Sequence, residues 1–155
     1  MRRKATPEEL ALLKARIAYQ WNWKVAQALL PPGEEFKVDV VRGRIRYLLA
    51  RDGKVYLTVR PNDGFLTPSL AAGERIRKCT DPPRFRIVIR GDREIRGSVL
   101  ARDVVGVDPG LRAGDEVIVV AEDDSLVGVG RLRVPPLMMR GLVYGEVARL
   151  RSRVK

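Results

Sequence analysis

The sequence contains no histidine and a single cysteine, Cys79. Without imidazole, zinc sites built on His₃, His₂Glu or Cys₂His₂ cannot be assembled. Triads and dyads that use histidine as their base are excluded for the same reason. One thiol cannot close an internal disulfide, and neither a secretory leader nor a long apolar run is visible. A soluble, cytoplasmic chain with no membrane association is expected. Asn and Gln total four residues (Gln20, Asn22, Gln27 and Asn62), a scarcity of thermolabile amides that leans towards a thermophilic source. Walker-type and Rossmann phosphate loops are missing too, since Gly128 and Gly130 sit inside a strand pattern. No cofactor and no metal are expected.

What is abundant is positive charge. The 155 residues carry a net +11, with a pI near 10.5. Such a balance points to a polyanion, nucleic acid first and an anionic membrane surface second; a basic surface with no partner is the plainer alternative. Only seven of the 30 basic residues are lysine. The planar guanidinium suits phosphate oxygens and stacks on bases, although a GC-rich genome produces the same bias. Residues 1–80 hold 16 basic and 8 acidic residues, a net +8, and residues 81–155 hold 14 and 11, a net +3. The excess in the first half means either that it too touches the polyanion or that its charge is merely solvated.

Along the chain, Thr6-Pro7-Glu8-Glu9 reads as a capping box with proline at the first helical position. Leu10, Leu13, Ile17 and Trp21 follow at helical spacing, and Val25 and Leu29 extend the stripe to Pro31-Pro32. Asn22 marks a break between two shorter helices. Trp21 and Trp23 are assigned to the core, with base stacking as the alternative. Residues 36–41, 44–50 and 54–60 read as strands, with Asp52-Gly53 as a hairpin turn. Arg42, Arg44 and Arg46 fall on one face of that pattern. Residues 67–72 read as a short helix capped by Thr67. Cys79 to Pro83 reads as a linker. Beyond it, Arg84, Arg86 and Arg90 alternate with Phe85, Ile87 and Ile89, a strand with one basic face. Residues 117–121 and 126–129 form a hairpin around the polar turn 122–125. In the last run, Arg149, Arg151, Arg153 and Lys155 fall at every second position, which on a strand places four cations on one face; a disordered basic tail is the alternative. The adjacent acids Asp115-Glu116 and Asp123-Asp124 point to opposite faces or sit in a turn, and make no shared acid/base pair.

The last third also resembles a known module. Gly97 to Val104 as a glycine-opened short helix, the loop Asp108 to Val117, the strand Val127 to Leu132 and the final strand around Gly141 and Gly145 are similar to a PUA domain, a small RNA-binding pseudo-β-barrel. Tyr19-Gln20-Trp21, Gly43 to Arg46 and Asp63 to Thr67 resemble the small domain that precedes PUA in the archaeal tRNA-guanine (archaeosine) transglycosylases. This chain departs from that family at Asn22-Trp23-Lys24, and it is too short to hold the family's catalytic barrel. The resemblance implies an α+β protein: a pre-PUA α+β domain over residues 1–80, then a PUA pseudo-β-barrel over 81–155, in an archaeal setting.

It also implies where RNA would lie, along Arg96, Gly97, Ser98 and Arg102 and along Arg140, Gly141, Arg149, Arg151 and Arg153. Arg42, Arg44 and Arg46 are auxiliary candidates. Ser98 would cap the short helix or bond a phosphate, and Arg102 would meet RNA or pair with Asp103 or Asp108. The function expected from this resemblance is RNA binding without catalysis, with tRNA held near its acceptor end. The chain would serve as a stand-alone accessory to a separately encoded catalytic tRNA-modification subunit. A ribosome-biogenesis factor on pre-rRNA is the second reading, and an RNA-modifying enzyme with a cryptic site the third.

Overall fold

The computed structural model describes residues 1–92, 94–142 and 145–155. They divide into two units, Met1–Cys79 and Thr80–Lys155, each with a sheet of its own.

In the first unit, β1 (Arg2–Lys4) leads into α1 (Pro7–Gln20) and α2 (Trp23–Leu29). Then come β2 (Lys37–Val41), β3 (Arg44–Leu49), β4 (Val55–Val59), β5 (Leu66–Pro68) and α3 (Leu70–Cys79). The strands lie in sequence order, all antiparallel. The capping box forms: the Thr6 hydroxyl accepts from the Glu9 N–H at 3.1 Å, and the Glu9 carboxylate accepts from the Thr6 N–H at 2.9 Å. Arg3 grips the same carboxylate with both Nη atoms, at 2.7 and 2.8 Å. The helix breaks where expected, because the Asn22 side chain accepts from the Val25 N–H at 2.8 Å and so caps α2. Leu13, Ile17, Trp21, Val25 and Leu29 are buried with Val38, Leu48, Leu57, Leu66 and Ile76. Trp23 is not, so only one of the two tryptophans joins the core.

Two local expectations fail here. Thr67 and Pro68 pair with Thr58 and Leu57 as the edge strand β5, a position where proline costs no ladder bond. The cap of the following helix is Ser69, whose hydroxyl accepts from the Ala72 N–H at 3.2 Å, and α3 continues through Gly73 to Cys79. Arg42 is not on a strand at all. Val41 pairs with Arg44, leaving Arg42-Gly43 as a two-residue hairpin loop with φ of 52° and 77°, the twist-matched turn that glycine favours.

The second unit runs through β6 (Arg86–Ile89), β7 (Ser98–Leu100), a 3₁₀ turn (Ala101–Asp103) and β8 (Val104–Val107). It continues with β9 (Glu116–Val120), β10 (Leu126–Leu132), a 3₁₀ turn (Pro136–Gly141) and β11 (Glu146–Arg153). The sheet order is β7-β11-β10-β9-β6-β8, with β6 and β9 parallel and the other pairs antiparallel. Every residue of β9 is buried, as required when a sheet curls over itself into a half-barrel. The fold is α+β, and the second sheet forms the curled half-barrel that the resemblance implies. Among the described residues no helix is long and apolar enough to cross a membrane.

That curl corrects the basic face expected on β6. Arg86 is wholly buried. It donates to both Asp124 carboxylate oxygens, to the Thr80 hydroxyl and carbonyl, and to the Arg84 carbonyl. Nearby, the buried Asp108 accepts from the Phe85 and Gly110 N–H groups and from Arg84. Burial alone would raise its pKa, but the two N–H groups and the guanidinium outweigh it and hold the carboxyl below its usual value.

Candidate nucleic-acid interface

The expected glycine-opened helix at residues 97–104 is absent. Ser98 lies in β7, and the only helical turn there is the 3₁₀ turn at Ala101–Asp103, whose capping position, Leu100, offers no side-chain bond. Ser98 is therefore not a helix cap. A strand forms because Gly97 and Ser98 feed the edge of β11: Ser98 pairs with Arg149, and the Gly97 carbonyl accepts from the Leu150 N–H at 2.8 Å.

This pairing places the two expected stretches together. Directly opposed residues in an antiparallel ladder share a face. Ser98 of β7 opposes Arg149 of β11, Arg149 opposes Arg131 of β10, and Arg131 opposes Glu116 of β9. The result is one row across four strands. Arg151 joins it through a bulge: Gly130 pairs with Leu150 and Val129 with Ser152, so Arg151 has no opposite number. Its guanidinium donates to Glu116, whose side chain is 1% exposed. Arg149 reaches back to Glu146 at 3.4 Å. Arg131 was not singled out from sequence. Its signal was cross-strand register, which period-two counting along one strand does not contain.

The same bulge breaks the expected four-cation stripe. Arg153 pairs with Gly128, in the row of Gly130 and Leu132, so it lies on the face of Leu150 and Ala148. Lys155 lies beyond the strand. One extra residue switches the side that later residues occupy. The final strand begins at Glu146, not around Gly141; Val143 and Tyr144 lie outside the described residues.

The close approach of β11 to β10 depends on glycine. A Cβ at Gly130 would stand 2.2 Å from the Arg149 carbonyl oxygen, and one at Gly128 2.5 Å from that of Ser152. No real Cβ tolerates such contacts, so these glycines set the seat on which Arg149 and Arg151 are carried.

The other expected residues stand apart from the row. Arg140 and Gly141 are exposed at the end of the 3₁₀ turn before β11. Arg102 is exposed on the turn after β7; among the described residues its side chain pairs with neither Asp103 nor Asp108, and Asp108 is taken by Arg84. Arg96 is exposed and 3.9 Å from Glu94. In the first unit, Arg44 is exposed, and Arg46 reaches the Val59 carbonyl at 3.4 Å. Asp123 and Asp124 occupy the turn expected of them, with Asp123 accepting from the Ser125 N–H and hydroxyl. Among the described residues no cluster of three metal-ligating side chains occurs.

Residues 12–83 match the model of the patch-forming domain C2 of tRNA-guanine transglycosylase, and residues 92–154 match that of the PUA domain. The tRNA-guanine(15) transglycosylase of Methanocaldococcus jannaschii is 34% identical over 152 residues, covering 92% of this chain and 22% of the relative. That of Pyrococcus abyssi is 32% identical over 137 residues, covering 86% and 23%. The chain thus spans less than a quarter of the length of these relatives. Among solved structures, a hypothetical protein from Pyrococcus horikoshii OT3 superposes with a TM-score of 0.71 at 18% identity, covering 99% of this chain and 94% of that one. A PUA domain protein from Thermoplasma acidophilum gives 0.63 at 15% identity, covering 99% and 93%. The chain is a PUA-domain protein that resembles, across both of its units, the C-terminal part of the archaeal tRNA-guanine(15) transglycosylases.

Proposed function

We propose that this chain binds structured RNA through the second unit, with tRNA near its acceptor end as the preferred ligand. The observation that carries the reading is the row Ser98–Arg149–Arg131, with Arg151 beside it, on the sheet of a PUA domain. Arg149, Arg131 and Arg151 present guanidinium forks at neighbouring positions, suited to consecutive phosphate oxygens. Ser98 adds a hydroxyl that can donate to the same oxygens. Glu116 sits beneath the cations and limits their mutual repulsion when no phosphate is bound. Such contacts position a backbone and recognise its shape without reading duplex bases.

The choice of tRNA is supported by the relatives, which are named for acting on it. In the finer form of the proposal, catalysis on the bound tRNA resides in a separately encoded subunit that this chain assists.

The test is tRNA affinity across a salt series, with and without the 3′ CCA end, for wild type and for Arg149→Ala/Arg151→Ala. Each phosphate contact removed should flatten the slope of log K against log salt by about 0.7–0.9. CCA trimming and the double substitution should each weaken binding, and together by less than their product. Equal affinity for a DNA duplex of the same charge would overturn the reading. Adding the chain to a candidate catalytic subunit should lower that enzyme's KM for tRNA, and an unchanged KM would refute the accessory role.

A further inference from the structure

The resembling stretch Tyr19-Gln20-Trp21 divides its duties unequally. Gln20 makes two reciprocal bonds to the backbone of Leu66, each 2.7 Å, and Trp21 is buried in the core. Tyr19 does neither: it is 84% exposed in the last turn of α1. Trp23, the first residue of α2, is 56% exposed although indole is among the costliest side chains to leave in water. The Lys14 Nζ stands 5.3 Å from the centre of its ring, a geometry that holds the ring in place. On α1, Leu12, Arg16 and Tyr19 share a face by their spacing of four and three, and all three are exposed. Among the described residues, Lys14, Arg16 and Lys24 are in no ion pair. Of the acids nearest them in sequence, Glu9 is already held by Arg3 and Glu34 by Arg75.

Each flank of α1 thus carries an exposed ring beside an unneutralised cation, Tyr19 with Arg16 on one and Trp23 with Lys14 on the other, and that pairing fits one class of ligand. A protein partner suited to this face would have to supply carboxylates as well as apolar groups. Unpaired nucleotides bring both a π-face for each ring and a phosphate for each cation. We propose that the α1–α2 shoulder of the first unit is a second RNA site, which takes unpaired nucleotides by stacking bases on Tyr19 and Trp23 while Lys14, Arg16 and Lys24 meet the backbone. The proposal rests on the RNA-binding reading above and extends it to the unit with the larger positive charge.

The experiment titrates the whole chain with single-stranded oligoadenylate, with an RNA duplex of equal phosphate count, and with tRNA. Tryptophan fluorescence is followed alongside affinity. Oligoadenylate should quench the exposed indole, and Trp23→Phe should abolish that quenching. Tyr19→Ala and Trp23→Ala should each weaken oligoadenylate binding about 5- to 100-fold while leaving the salt slope unchanged. Tyr19→Phe, which keeps the ring, should bind like wild type and shows that loss in the alanine variant is not misfolding. Wild-type affinity in both alanine variants overturns the proposal, as does a change in their oligomeric state without a change in RNA affinity. If Arg149→Ala/Arg151→Ala alone weakens tRNA binding, the second-unit reading stands and the shoulder site falls. If the wild type binds none of the three RNAs, both fall together.

Discussion

Arg86 is wholly buried, and its Nε meets one carboxylate oxygen of Asp124 at 2.7 Å while Nη2 meets the other at 3.2 Å. The pair joins β6 to the turn between β9 and β10, and so fastens the curl of the half-barrel from within. Removing one partner from a buried pair leaves a charge without compensation, at a cost of about 3–5 kcal/mol. Asp124→Ala should show that loss, because Arg86 stays behind in the core. Arg86→Met should cost less, since Asp124 keeps access to water at 27% side-chain exposure. Hydrogen exchange at the β6 and β9 amides is the measurement, and equal protection in Asp124→Ala and wild type would refute the role.

Arg86 also marks where sequence reading stops. The alternation Arg84, Arg86, Arg90 against Phe85, Ile87, Ile89 is real, but alternation reports two faces and not which of them meets water. In a curled sheet both faces of a central strand are inside, so Arg86 became a buried anchor while Arg84 and Arg90, outside the strand, stay exposed. The capping box at Thr6 and Glu9 and the break at Asn22 were legible because their signals lie within four residues of one another. The row Ser98–Arg149–Arg131 spans three strands and two bulges, and no local spacing encodes it. Arg149 and Arg151 were singled out from the alternation along their strand; Arg131, their neighbour across the ladder, was not. Arg153 falls on the opposite face from Arg149 because a bulge has no mark in the sequence.

Gly130 should be nearly irreplaceable. An alanine there would drive its methyl group to 2.2 Å from the Arg149 carbonyl oxygen and 2.9 Å from its carbon. Backbone cannot move aside as a flexible side chain does, so the β10–β11 ladder must part. Gly130→Ala should cost at least about 1–3 kcal/mol and weaken RNA binding by misplacing Arg149 and Arg151. Gly106→Ala is the control, since its Cβ would meet only Val88 side-chain atoms at 3.6 and 3.7 Å. Thermal melts and tRNA affinity of the two variants, side by side, decide the matter.

The start of α1 should be acid-sensitive. The paired bond from Arg3, with the Thr6 N–H next in weight, lowers the Glu9 pKa to about 2. A carboxyl whose folded pKa lies below its unfolded value adds stability that is complete above about pH 4.5 and disappears as pH falls towards 2. Both tryptophans lie in the first unit, so fluorescence-detected urea unfolding reads that unit. Between pH 6 and pH 2.5, the wild-type midpoint should fall further than that of Glu9→Gln. Parallel curves for the two proteins would show that the box contributes nothing in solution.

Gln20 offers a sharper test of the edge at β5. Its amide nitrogen donates to the Leu66 carbonyl and its amide oxygen accepts from the Leu66 N–H, so one side chain satisfies both groups that an edge strand leaves open. An ionised carboxylate can accept from that N–H, but has nothing to donate to the carbonyl and faces its oxygen instead. Gln20→Glu should therefore destabilise the first unit at neutral pH by about 1–3 kcal/mol, the cost of an unsatisfied partly buried group. Protonation restores a donor, so the folded state favours the neutral acid and raises its pKa above the unfolded value. Stability from that protonated bond is complete below the unfolded pKa and is lost as pH rises through the folded one. Gln20→Glu should thus gain on wild type as pH falls from 7 to 4, while Gln20→Ala keeps a constant deficit. Urea midpoints by tryptophan fluorescence across that range test it. A deficit in Gln20→Glu that does not shrink with acid would mean that the reciprocal bond to Leu66 does not hold this edge.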